Sequence, residues 1–328
     1  MDDVDHLTGK WPVRLVPQHP DYRKHRPYEV LYLPCGRCLG CKLDRARDWS
    51  IRVYLESLDW SSDQQLFITL TYDDDHLPAS GSLHPPDMTK FLKRLRKSNV
   101  LPLRYFQCGE YGAKSLRPHH HMILFGVELP DMRRYYSGSN LYESELLRQL
   151  WPFGEHRIAW VTPETIAYTT RYCTKKLAPD KLAYERIGCH PEYITMSRRP
   201  AIGYNWFINH YRDLYALDYM CLQNGIKCRI PRLFDKKFEL MDPDGFKTIK
   251  QSRLKKTYEN SLKSLTKSAK ERYNNIIETL CELENYQLRL DLKDSARDIL
   301  DAEMYKRLEA RGKIVQAQHS LYTSRSTV

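Results

Sequence analysis

The stretch Arg117-Pro118-His119-His120-His121-Met122-Ile123-Leu124-Phe125 decides the fold. An apolar run closed by Gly126 reads as a β-strand. Strand side chains alternate between faces, so His119, His121, Ile123 and Phe125 share one face and His120, Met122 and Leu124 the other. Both faces are apolar beyond the histidines, which makes the strand a central one. Two imidazoles two residues apart on one face can converge on a single cation.

Working outward, Leu103-Arg104-Tyr105-Phe106-Gln107-Cys108 reads as the preceding strand and Gly109-Glu110-Tyr111-Gly112 as a turn. A hairpin between the two strands brings the Glu110 carboxylate beside His119 and His121. Two histidines and a carboxylate leave positions open for water and a phosphate oxygen. The competing readings are a satisfied cluster of core histidines, or a cupin-like barrel, which also combines His-x-His with a glutamate. Farther upstream, Leu66–Tyr72 is a β-branched and aromatic strand stopped by Asp73–Pro78. Asp87 reads as the N-cap of a helix from Met88 to about Lys97, with Met88, Phe91, Leu92 and Leu95 at helical spacing. Downstream, His156–Thr162 is a fourth strand. Thr162-Pro163-Glu164 then opens a helix that runs to about Leu177, with a hydroxyl cap, a first-turn proline and an acid at the positive dipole end.

On that helix, a wheel at ~100° per residue puts Tyr168, Tyr172, Lys175 and Arg171 on one side. Ile166, Thr170, Cys173 and Leu177 fall opposite. A helix docked through its apolar stripe therefore presents two phenols and two cations outward together. A phenol with a pKa near ~10 is a weak nucleophile at neutral pH. It becomes useful where a metal polarises the electrophile and stabilises the leaving oxygen. With a phosphodiester it yields a phosphotyrosine and a free hydroxyl, while Arg171 and Lys175 hold backbone phosphates in line. The bland alternative is an exposed Tyr/Lys face that only binds or solubilises.

The chain has 328 residues, 41% of them hydrophobic, so a sizeable core can form. Lys and Arg outnumber Asp and Glu by 52 to 41, and the net charge of +11 favours an anionic partner, most simply nucleic acid. No run of ~18 apolar residues exists, which predicts no transmembrane helix and no membrane partner. The opening MDDVDHLTGKW lacks the basic and apolar regions of a signal peptide. Nine cysteines, an odd number in a long chain, do not resemble a secreted disulfide framework, so a reducing, cytoplasmic setting is expected. Cys35, Cys38 and Cys41 form Cys-x2-Cys-x2-Cys, a spacing able to hold structural zinc with a fourth ligand from elsewhere; reduced, unliganded thiols are the alternative. The Pro34-Cys35 start also matches half of the zinc-deaminase signature, but residues 1–34 contain no His-x-Glu, which rejects a deaminase. No Gly-x4-Gly-Lys-[Ser/Thr] loop occurs, so nucleotide-driven unwinding by this chain is not expected and a host helicase is an implied partner.

Taken in order, Phe67–Tyr72, His119-His120-His121 and the Tyr168-x3-Tyr172 helix ending in Lys175-Lys176 resemble the three motifs of the HUH endonucleases. These are metal-dependent tyrosine nucleases that start rolling-circle replication. Their middle position is usually apolar or aromatic, so His120 is a departure; strand alternation favours His119 and His121 as the binding pair. Residues 30–210 are more closely similar to the replication initiators of the microviruses, gokushovirus type. That similarity rests on Pro34–Cys41, Asp44–Arg47 with Trp49, Gly109–Gly112, Arg117–His121, Tyr168–Lys176 and Met196–Gly203. The resemblance implies an α+β fold with a central antiparallel sheet of about five strands and flanking helices, followed by a helical C-terminal region. It divides the chain into an N-terminal segment (1–60), a nuclease core (61–210) and a mostly helical region (211–328). It implies nicking of single-stranded phage origin DNA with magnesium or manganese, a 5′-phosphotyrosine on Tyr168 or Tyr172, and strand rejoining by the second tyrosine. Lys176, Arg198 and Arg199 would join Arg171 on the DNA, in the cytoplasm of a bacterial host. The alternative function is nucleic-acid binding without catalysis.

Overall fold

The computed structural model describes residues 39–112, 115–175, 184, 188–222, 225–282 and 286–325. The described residues lie in one of two units of the chain, that spanning Gly36–Val328.

The unit is built on an antiparallel sheet of β1 (Gln65–Tyr72), β2 (Arg104–Tyr111), β3 (Pro118–Phe125), β4 (Arg133–Arg134), β5 (Tyr142–Glu143), β6 (Gly154–Trp160) and β7 (Tyr193–Met196). The spatial order is β4-β5-β6-β1-β3-β2-β7, so the histidine strand is central. Five strands carry the sheet, as expected; β4 and β5 extend one edge by two residues each. One expectation is corrected here. Gly109-Glu110-Tyr111 is not a turn but the end of β2, still paired with His120, His119 and Pro118. The strand continues because both faces at this position stay covered, leaving the reversal to residues 112–117.

One face buries Leu66, Ile68, Leu70 and Tyr72 from β1 with Met122, Leu124 and Ile158. It is covered by α2 (Pro85–Ser98), through Met88, Phe91, Leu92 and Leu95, and by Leu147 and Trp151 at α3 (Glu145–Leu150). Asp87 is not the cap of α2. Pro85 and Pro86 already start the helix, where their missing N–H groups cost nothing. Asp87 is instead buried in the first turn, accepting from the Tyr72 hydroxyl at 3.1 Å and pairing with His84 at 3.0 Å.

The opposite face carries α1 (Leu39–Ser57) and α4 (Pro163–Lys175), packed against each other. Val53 of α1 and Ile166 of α4 bury against Phe106, Cys108, Ile123 and Phe125. They cover the β2–β3 half. The odd residues of β1, from Gln65 to Thr71, remain half-exposed while its even residues are buried. Half of this face therefore stays open beside the histidines.

Beyond the sheet, α5 (Tyr204–Leu217), a β8–β9 ribbon (Met220–Cys221 with Lys227–Cys228), α6 (Arg232–Met241) and α7 (Pro243–Lys263) build a second core. In it Phe207, Tyr215, Phe234, Phe238 and Phe246 pack on Ile51 and Leu55 of α1. Helices α8 (Lys267–Glu282) and α9 (Tyr286–Arg325) complete the helical C-terminal region. No described helix is long and apolar enough to cross a membrane.

Candidate active site

The period-two alternation of β3 separates the three histidines. His120 is fully buried among Tyr72, Trp151 and Tyr193, with ring centroids 5.9–6.2 Å away. Burial, helped by the flanking imidazoles, pulls its pKa down to about 3, so it is a neutral aromatic filler. The departure from an apolar middle residue is thus accommodated by packing. His119 and His121 project to the other face, as the alternation requires, with ring centroids 6.4 Å apart.

Register supplies their neighbours. On β2, Glu110 is the partner of His119 and Cys108 that of His121. On β1, Thr71 is the partner of His119 and Thr69 that of His121. Partners in an antiparallel pair point to the same side. The Thr69 hydroxyl accordingly lies 2.9 Å from His121 Nδ1, and the Thr71 hydroxyl 3.0 Å from His119 Nδ1. His121 Nε2 donates to Glu110 Oε1 at 2.8 Å. His119 turns its Nε2 toward Gly112, where an added Cβ would come within 3.0 Å.

Glu110 is 4% exposed, and its Oε2 has no hydrogen-bond partner among the described residues. A buried carboxylate oxygen without a donor is costly unless something else satisfies it. Among the described residues no three His, Cys, Asp or Glu side chains close around a common point. The donor chemistry nevertheless suits a divalent cation: two imidazoles and a carboxylate on one face, each Nδ1 anchored by a hydroxyl and one oxygen left over.

Helix α4 brings the phenol to this cluster. Thr162 caps it reciprocally with Thr165: the Thr165 N–H donates to Thr162 Oγ1 at 3.3 Å, and the Thr162 N–H to Thr165 Oγ1 at 2.9 Å. The helix docks through Ile166, Thr169 and Thr170, all buried, and the Thr170 hydroxyl meets Ser50 of α1. Tyr168 consequently faces out, 44% exposed, as the wheel predicts. Its ring meets His121 edge-on at 5.4 Å and Phe67 at 6.1 Å. Arg171 is exposed on the same helix. Tyr172 and Lys175 lie within α4, but their side chains are outside the described set, as are Lys176, Cys35 and Cys38. Cys41 is half-buried near the start of α1.

Arg198 and Arg199 are exposed in the loop after β7 and make no hydrogen bond or ion pair among the described residues. That loop is held from below. Buried Glu56 pairs with Arg104 and accepts the Gly203 N–H, while Arg104 donates to the carbonyls of Pro200 and Ala201, and Arg52 to that of Ile202.

Sequence reasoning missed Thr69 and Thr71. The available signal was the alternation Phe67-x-Thr69-x-Thr71, which puts all three on one face of a strand beside the histidines.

The sequence model of the replication-associated protein family of the ORF2 type matches residues 65–177. Replication-associated protein VP4 of Bdellovibrio phage phiMH2K is 36% identical over 222 residues, covering 64% of this chain and 69% of that protein. Replication-associated protein ORF2 of Spiroplasma virus 4 is 32% identical over 228 residues, covering 65% and 70%. Replication-associated protein ORF4 of Chlamydia phage 1 is 29% identical over 220 residues, covering 62% and 52%. No solved structure matches.

Proposed function

Because the chain belongs to the family of phage replication-associated proteins, we propose that it initiates rolling-circle replication by nicking single-stranded origin DNA through a tyrosine. The observation that carries this reading is the Tyr168 ring set edge-on against His121, itself in contact with Glu110. In the proposed step the Tyr168 hydroxyl oxygen attacks the scissile phosphorus. The bond from phosphorus to the 3′ oxygen breaks, and that oxygen leaves as a free 3′ hydroxyl on taking up a proton. The tyrosine loses its own proton and keeps the 5′ phosphate. Reversal by an incoming 3′ hydroxyl rejoins the strand without a nucleotide cofactor, since one phosphodiester replaces another.

Glu110, His119 and His121 would hold a magnesium or manganese ion, whose charge would offset that building on the phosphate. Arg171 and Lys175 would position the backbone on the same helix as the nucleophile. Tyr172, one helical turn on, would serve as the second nucleophile, with Lys176, Arg198 and Arg199 as further phosphate contacts. A host helicase would open the duplex, in the cytoplasm of the bacterial host. Structural zinc at Cys35, Cys38 and Cys41 would be independent of this chemistry.

The test is a labelled origin oligonucleotide incubated with the protein and manganese, then run on a denaturing protein gel. Wild type should give a covalent protein–DNA band that Tyr168→Phe plus Tyr172→Phe abolishes while DNA binding persists. Binding without any adduct across a panel of phage origins would leave a nucleic-acid-binding protein and no nuclease. An adduct surviving in the double variant would place the nucleophile elsewhere.

A further inference from the structure

The open half of the sheet face continues away from the histidines. In register, His121 of β3 is the partner of Thr69 of β1, which is the partner of Arg157 of β6. These three side chains therefore point to one side, in a row whose ends are about 10 Å apart at the usual strand spacing. Arg157 is held flat where the row ends. Its guanidinium donates to the His156 carbonyl at 2.6 Å and to Glu155 at 2.8 Å, and its carbon lies 3.8 Å from the centre of the Tyr135 ring.

Tyr135 is fixed in turn. Its N–H donates to the Leu141 carbonyl at 2.9 Å, while Ser139 pins the turn by donating its N–H to the Tyr136 carbonyl at 3.0 Å. The Tyr136 ring meets Tyr135 edge-on at 5.7 Å. Tyr135 is 43% exposed and Tyr136 62%. Large rings left in solvent on a pinned turn, one of them stacked on a guanidinium, have no role in the core. Arg133 and Arg134 immediately precede them.

We propose that Tyr135, Tyr136 and Arg157 form a stacking platform for the bases of single-stranded DNA lying along the open sheet face toward Tyr168. Aromatic and guanidinium planes offer a π-surface to any base, and the arginines suit the phosphate backbone. Duplex DNA hides its base faces and cannot use such a platform. The inference rests on the single-strand nuclease reading but involves none of its reacting groups.

The test measures binding of fluorescent single-stranded and duplex oligonucleotides to the full chain at fixed salt, without divalent metal. Tyr135→Ala should weaken single-strand binding roughly tenfold, Tyr135→Phe should restore it, and duplex binding should change little. Arg157→Lys should weaken single-strand binding too, since an ammonium keeps the charge but not the plane. With 5-iododeoxyuridine in the strand, photo-cross-links should map to Tyr135 or Tyr136. Unchanged single-strand affinity in Tyr135→Ala, equal losses on both DNA forms, or cross-links that avoid this turn would each overturn the platform. Thermal melting of every variant guards against loss by misfolding. If covalent adducts never form yet the Tyr135 series behaves as described, the nicking reading fails and the platform stands. Adducts with an inert Tyr135 series would overturn the platform and leave the nicking reading in place.

Discussion

Each imidazole of the candidate site leans on one threonine hydroxyl, and a hydroxyl can donate or accept. While His121 Nε2–H donates to Glu110, Thr69 donates to Nδ1; with Nε2 turned to a cation, an Nδ1–H would donate to Thr69 instead. One residue thus serves both states and sets the ring plane. Thr69→Val should therefore weaken manganese binding about ten- to a hundredfold in titration calorimetry, with little change in folding. An unchanged affinity would remove Thr69 from the site. Gly154 presents a different constraint. Its φ is 145°, and an added Cβ would come within 2.4 Å of the Asp73 nitrogen and 2.5 Å of the Thr71 carbonyl oxygen. Backbone cannot yield as a side-chain end can, so Gly154→Ala should cost on the order of 2 kcal/mol or more in urea unfolding.

Among the elements, α1 and the loop after β7 are joined by the buried Glu56–Arg104 pair, whose remaining groups bind loop backbone. Removing one partner strands a buried charge. Glu56→Ala should lose about 3–5 kcal/mol, while the more polar Glu56→Gln should lose less. A second element-level contact predicts a pH effect. His156 of β6 accepts the Ser144 N–H at 3.1 Å through Nε2, tying the sheet to the start of α3. Burial, and then the nearby Arg148 and Arg157, lower its pKa. The unfolded chain therefore takes up a proton first, and its contribution to stability is full above about pH 6.5 and lost as pH falls below that value. Urea unfolding at pH 7.5 and 5.5 should show this loss, and His156→Gln should reduce the difference. An identical difference in the variant would assign the pH effect to other groups.

For the whole molecule, the excess of positive charge predicts DNA binding that weakens steeply with salt. For single strands the logarithmic slope should be about −0.7 per phosphate neutralised. Substituting Arg198 and Arg199 together with alanine should make that slope shallower, because both are exposed and make no ion pair among the described residues. An unchanged slope would leave that loop off the DNA path.

The alternation of one strand was enough to sort His119 and His121 from His120, and the wheel of α4 to turn Tyr168 outward, because both depend only on local backbone periods. Likewise, the ordered motifs sufficed for the family that the phage relatives bear out. The extent of β2, the cap of α2, the threonine partners and the edge formed by β4 and β5 came from the tertiary structure alone. Each is set by which strand lies beside which, and hydrogen bonds and burial between residues dozens of positions apart follow from that pairing, which no local period encodes.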